Sequence, residues 1–181
     1  MIQPISNDHE MLACFNQDGN EIEPKKRSEL HNKPYSIWHG VSDIWIVNIE
    51  GKILCSKRSE KVSGNPGKWQ SFFGGHVKAG TDFLETALRE LEEEIGINIE
   101  PEKLLLMEHG KAEEYKHIYY KFVYLFDTER DVLDFRDGEI TETKWFLFKE
   151  YWQERIINPE KWCNGINEIQ YQAILQRLGI S

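Results

Sequence analysis

The sequence predicts an α+β domain, an α/β/α sandwich around a mixed β-sheet. Three observations carry that expectation. Short segments rich in Val, Ile, Trp and Tyr are bounded by tight-turn residues, as strands and hairpins are. A few other segments repeat their apolar residues at helical spacing. The two kinds follow one another without internal repeats, low-complexity tracts or an obvious linker, so 1–181 reads as a single domain. With 40% apolar and 12% aromatic residues, 181 residues suffice for a real core.

Residues 10–15 (EMLACF) read as a strand, followed by a turn at Asp18-Gly19-Asn20. Residues 21–36 are polar, with a basic cluster at Lys25, Lys26 and Arg27, and are expected to be irregular. Together 1–36 form an N-terminal extension of one strand and irregular chain. Residues 41–49 alternate and are rich in Ile, Val and Trp, a strand; Glu50-Gly51 turns the chain into a second strand at 52–58. A Pro-Gly loop at 59–68 precedes a short strand at 69–73, which runs into Gly74-Gly75. A helix follows, with Thr81 or Asp82 as its N-cap. Strands are expected at 104–108, 118–127 and 144–148, and helices at 150–156 and 167–178 in a C-terminal region over 150–181. The segment 158–167 (NPEKWCNGIN) looks specialised, and the sequence offers no physical account of it.

The net charge of −9 argues against a nucleic-acid polymer or a membrane surface as partner. No apolar run approaches the roughly 18 residues that cross a bilayer, and nothing near the N-terminus resembles a signal peptide. Cys14, Cys55 and Cys163 are widely spaced and form no CxxC pair, which suits buried or free thiols in a cytoplasmic protein.

The functional signal lies in residues 75–97, GHVKAGTDFLETALRELEEEIGI. Leu84, Ala87, Leu88, Leu91 and Ile95 mark one face of a helix. On the neighbouring face Glu90, Glu93 and Glu94 fall within about 100° of one another. Crowded carboxylates repel, and a hard divalent cation relieves that repulsion. Gly75, Arg89, Glu90, Leu91, Glu93, Glu94, Gly96 and Ile97 fit the pattern G-x5-E-x7-R-E-U-x-E-E-x-G-U, with U a bulky aliphatic residue. This is the Nudix box, and the chain resembles a Nudix hydrolase. One position departs from the pattern: its first glutamate is Thr81.

The resemblance implies a Nudix-type sandwich fold and a divalent-metal-dependent hydrolase. Such enzymes cleave a diphosphate linkage in a nucleoside diphosphate-X or related small metabolite by water attack on phosphorus. It implies Mg²⁺ or Mn²⁺, with Glu90, Glu93, Glu94 and the Gly74 carbonyl as ligands. Glu90 would also hold or deprotonate the water. Arg89 would orient the glutamates, Glu93 lying one turn ahead. Thr81 cannot take the first glutamate's place in that network, and Glu85 is the acid that could pair with Arg89 instead. A further glutamate from a later loop is expected, and Glu139 in DGEITETKW is the choice over Glu113, Glu114 and Glu142. A net acidic enzyme can hold an anionic substrate if bound cations dominate the local field. The resemblance also leaves a homodimer open.

Arg58 and Lys68, which flank the Pro-Gly loop, and His76 beside the glycines are candidate substrate contacts. Trp69, Phe72 and Phe73 read as core rather than as a stacking platform. A second resemblance covers residues 10–80, to isopentenyl-diphosphate isomerases within the same superfamily. There, histidines at places comparable to His31, His39 and His76 bind a metal together with two glutamates, and a cysteine precedes the Gly-His pair. Here Gly74 stands in the cysteine's place, and Ile118 and Tyr120 fall near the acidic pair. Two alternatives to the hydrolase therefore stand: a catalytically weak Nudix-fold module that binds a metabolite, and, further off, an isomerase-like enzyme.

Overall fold

The computed structural model describes residues 8–135, 138–163 and 165–180. Its strands are β1 (Met11–Phe15), β2 (Glu21–Lys26), β3 (Trp38–Asn48), β4 (Ile53–Arg58), β5 (Trp69–Gln70), β6 (Phe73–His76), β7 (Leu104–Ala112), β8 (His117–Phe126) and β9 (Ile140–Phe146). Its helices are α1 (Arg27–Leu30), α2 (Phe83–Ile95), α3 (Phe148–Ile157) and α4 (Glu168–Leu178).

β3 organises the sheet. It pairs antiparallel with β1, β4 and β6, and parallel with β8 from His39↔His117 to Asn48↔Phe126. That parallel ladder makes the sheet mixed, as expected. Alternate residues of β3 point to opposite faces. Ile44 and Ile46 join Ala87, Leu91 and Ile95 of α2 in one core. Trp45 and Val47 join Tyr151 of α3 and Tyr171 and Ile174 of α4 in the other. Two cores across one sheet make the α/β/α sandwich. No described helix is long and apolar enough to cross a membrane.

Three expectations need correction. The segment 21–36 is not irregular throughout: β2 pairs with β1 from Phe15↔Glu21 to Met11↔Lys26, and α1 follows. β2 is a sheet-edge strand with largely exposed side chains and a proline, so main-chain pairing forms it without an apolar alternation to announce it. The strand expected at 69–73 is two strands, β5 on β4 and β6 on β3. The last strand begins at Ile140 and ends at Phe146, not at 144–148.

Candidate active site

Helix α2 is fixed at both ends. Asp82, not Thr81, is the N-cap: its carboxylate accepts from the Glu85 amide at 2.8 Å, and Glu85 accepts from the Asp82 amide at 3.0 Å. Gly96 closes the helix in the left-handed conformation at φ 73°, its amide reaching the Glu92 carbonyl. Between these caps the apolar face enters the core and the acidic face turns to β6. That face and the β3–β8 ladder border one cleft of about 1480 Å³.

Glu90, Glu93, Glu94, Arg89, Gly74 and Gly75 all line the cleft. Arg89 donates to Glu93 at 2.6 Å. Its Nη2 lies 2.8 Å from a Glu90 oxygen, but off the hydrogen-bonding angle. Glu94 is buried at 4% exposure and accepts the Gly74 amide at 3.3 Å. Burial pushes the Glu90 carboxyl up to about 7, against the pull of Arg89. Gly75 is a seat for this carboxylate: a Cβ there would lie 2.6 Å from a Glu90 oxygen. At Gly74, φ is +143° and a Cβ would lie 2.0 Å from the Ser42 carbonyl oxygen. The backbone therefore excludes any side chain where the isomerases carry their cysteine. Cys55 is no substitute, being buried in the core under α3 and α4.

Glu85 is not the partner of Arg89, because the capping box holds its carboxylate at the helix start. The Thr81 hydroxyl donates to the Lys78 carbonyl at 2.9 Å and stiffens the turn before the helix. Glu139 lines the cleft, whereas Glu113, Glu114 and Glu142 do not; Ser59 donates its amide to the Glu139 carbonyl. Arg58 and His76 line the cleft too, and Arg58 is braced by the Gly64 carbonyl and the Gln70 side chain. Lys68 does not line it. Phe72 faces the cleft, while Trp69 packs against Phe146 and Trp162 and Phe73 is core.

Several cleft residues escaped the sequence reading. Asp43, paired in register with Gly74, is half-buried, and desolvation pushes it up to about 6, with Lys121 pulling it down. His117, Tyr119 and Lys121 project together from alternate positions of β8. The segment 158–167 also acquires a role: Trp162 bridges to Trp69, Cys163 donates its amide to the Trp69 carbonyl, and Ile166 donates to the Ser71 hydroxyl. It is a strap that carries Cys163 and Gly165 to the cleft wall.

Histidines gather at the other end of the cleft. The ring nitrogens of His31, His39 and His76 supply one atom each, all within 4.8 Å of one another. Burial lowers His39 to about 4 and His117 to about 3, and lowers His31 and His76 as well, so the rings are neutral at pH 7. The three α2 carboxylates form no such group, since Arg89 draws Glu93 to itself and Glu94 turns to Gly74.

The NUDIX domain family model matches residues 38–163. An uncharacterised Nudix hydrolase of Clostridium acetobutylicum is 34% identical over 101 residues, 54% of this chain and 48% of that protein. One from Pseudomonas aeruginosa is 31% identical over 111 residues, 61% of this chain and 62% of that protein. The chain thus spans between about half and three-fifths of these two relatives. A Serratia proteamaculans protein named isopentenyl-diphosphate Delta-isomerase is 26% identical over 177 residues, 94% of this chain and 92% of that one. A crystal structure from Deinococcus radiodurans superposes with a TM-score of 0.67 at 18% identity, over 91% of this chain and 98% of that one, and shares the fold. With the family model spanning most of the chain and the box residues gathered in one cleft, this protein belongs to the Nudix family.

Proposed function

We propose that the protein is a divalent-metal-dependent pyrophosphohydrolase acting on a small molecule with a diphosphate linkage, a nucleoside diphosphate-X or a related phosphorylated metabolite. The observation that carries this reading is the meeting of Glu90, Glu93 and Glu94 with Gly74 and Gly75 in one cleft. The donor set suits Mg²⁺ or Mn²⁺: it is all oxygen, and Arg89 holds two of its carboxylates, Glu90 and Glu93, by ion pairs. Glu90, Glu93, Glu94 and the Gly74 carbonyl would hold the ion. When bound, it neutralises phosphoryl oxygens and acidifies water.

The chain's own groups do the rest. Glu90, seated on Gly75 and raised toward neutrality by burial, holds or deprotonates the attacking water. Arg89 keeps the Glu90 and Glu93 carboxylates in register. Glu139, which also lines the cleft, is the further ligand or base. Arg58 and His76 contact the phosphates from within the cleft, and Lys68 adds positive charge outside its wall. Three free thiols and the acidic surface suit a cytoplasmic enzyme without nucleic-acid or membrane partners.

Thr81 favours one second reading, a catalytically weak module that binds a metabolite, because it removes an acid from the box. Glu90→Gln separates the two. A hydrolase loses turnover by roughly 100-fold or more while still binding the molecule it cleaves. A binding module shows no metal-dependent turnover with either residue.

A further inference from the structure

Three strands carry one row of residues across the floor of the cleft. Asp43 of β3 is paired in register with Gly74 of β6 on one side and with Lys121 of β8 on the other. All three line the cleft. Neighbouring strands lie about 4.8 Å apart, so the row reaches roughly 10 Å from the glycine beside the α2 carboxylates. A molecule whose diphosphate meets Glu90, Glu93 and Glu94 therefore presents to Asp43 and Lys121 the unit joined directly to that diphosphate.

The two side chains are held differently. Lys121 is fixed: its Nζ donates to Glu108 at 2.6 Å and stands 4.7 Å from the centre of the Tyr119 ring and 5.4 Å from that of Trp45. Gln170 of α4 braces the same Glu108 oxygen at 3.0 Å. An ammonium carries three donors, so Lys121 keeps N–H groups for the cleft after Glu108 is satisfied. A side chain already ordered in this way loses little entropy when a ligand arrives. Asp43 has no such support. Among the described residues no donor reaches its carboxylate, and Lys121 acts on it through charge rather than through a bond. The row thus sets an acceptor that lacks a donor beside a donor that is held in place.

These features select the chemistry of the ligand. A further phosphate would meet two acids, Asp43 and Glu108, around one cation. An apolar chain would cover the Asp43 carboxylate without supplying a donor, which is costly. A flat base would find the Lys121 ammonium already over the Tyr119 and Trp45 rings. A hydroxyl both donates and accepts, so two adjacent hydroxyls satisfy Asp43 and Lys121 together. We infer that Asp43 and Lys121 are specificity-determining residues that bind adjacent hydroxyls of a sugar joined directly to the diphosphate, Asp43 accepting and Lys121 donating. This inference rests on the diphosphate reading of the α2 end. A nucleotide's ribose and a hexose on the far phosphate offer the same hydroxyl chemistry, and the probes below tell them apart.

The test is calorimetry on the full chain, with Ca²⁺ as the cation so that binding is read without turnover. ADP is compared with its 2′,3′-dideoxy form, and ADP-glucose with the methyl ester of ADP. The first pair differs in the ribose hydroxyls and the second in the hexose. In at least one pair the member with the hydroxyls should bind roughly tenfold or more tightly, the effect of a hydrogen bond to a charged group, and that pair names the sugar. Asp43→Ala should bring the ratio close to one, while Asp43→Asn, which keeps an acceptor oxygen, should retain part of it. Lys121→Met, which keeps the stem along the rings, should lower it too. Circular dichroism reports the folding of each variant. Ratios near one in both wild-type pairs, or a ratio that survives intact in folded Asp43 and Lys121 variants, would overturn the sugar contact. Inorganic pyrophosphate carries no sugar and reports the carboxylate end separately: its failure to bind with Ca²⁺ would count against the diphosphate reading, while the ratios alone decide the sugar.

Discussion

The two ends of the cleft are built in opposite ways. At one end, Glu90, Glu93 and Glu94 come from a little more than one turn of a single helix, and Arg89 pairs with the first two. At the other, the His31, His39 and His76 rings come together from three parts of the chain, His117 of β8 packs against two of them, and among the described residues no carboxylate joins the group. Burial acts on both ends by the same cause and with opposite sign. It raises the Glu90 acid to about 7 and lowers His39 and His117 to about 4 and 3. In each case the neutral form is favoured. One end is thus a carboxylate site that a hard cation would charge fully, and the other a set of neutral nitrogens.

The largest expected effect breaks the carboxylate end alone. Glu94→Gln keeps an oxygen to accept the Gly74 amide, so the fold should persist. Turnover should fall by roughly 100-fold or more through loss of a metal ligand, exceeding what outer partners cost. Steady-state kinetics over a Mn²⁺ series would check this. Gly75→Ala comes next. Its Cβ would sit 2.6 Å from a Glu90 oxygen and displace the carboxylate from its seat. A stability loss of about 1–3 kcal/mol is expected from such overpacking, read by denaturant unfolding, together with weaker Mn²⁺ binding.

The pH dependence of stability in EDTA sharpens the contrast. Glu90 is raised in the fold, so its contribution is fully present below its unfolded value of 4.5 and is lost as pH rises through about 7. The loss should reach up to about 3 kcal/mol, and Glu90→Gln should remove it, making that variant the more stable protein at pH 8. His117 is lowered, so its contribution is present above 6.5 and is lost as pH falls toward 3. His117→Asn should remove its share of that acid limb and leave the share of His39, lowered to about 4. Thermal unfolding from pH 4 to 8 would show both slopes, one from each end.

The carboxylate end was legible because a helix writes its faces into local spacing. Residues three and four apart share a surface, so the acids, Arg89 and the apolar stripe could be read from one stretch of α2. The histidine end was only partly legible. His31, His39 and His76 stood out by resemblance, but His117 becomes their neighbour only through the parallel β3–β8 ladder, which no local pattern reveals. β2 was missed because an edge strand with polar faces carries no alternation. The strap role of Trp162, Cys163 and Ile166 was not legible because it rests on long-range bonds, from the Cys163 amide to the Trp69 carbonyl and from the Ile166 amide to the Ser71 hydroxyl.

Smaller effects test the supports of the carboxylate end. Asp82→Ala removes the N-cap and should cost about 1 kcal/mol in thermal unfolding. Thr81→Glu restores an acid near the box and should tighten Mn²⁺ modestly by calorimetry.

The most direct test is release of phosphate or of phosphorylated fragments from a panel of nucleoside triphosphates, nucleotide sugars, dinucleoside polyphosphates and prenyl diphosphates, with Mg²⁺, Mn²⁺ or EDTA. Turnover of at least one member that needs Mg²⁺ or Mn²⁺ and stops in EDTA is the predicted result. Silence across the panel, with thermal stabilisation by one of its members, would contradict the hydrolase and leave a Nudix-fold binding module.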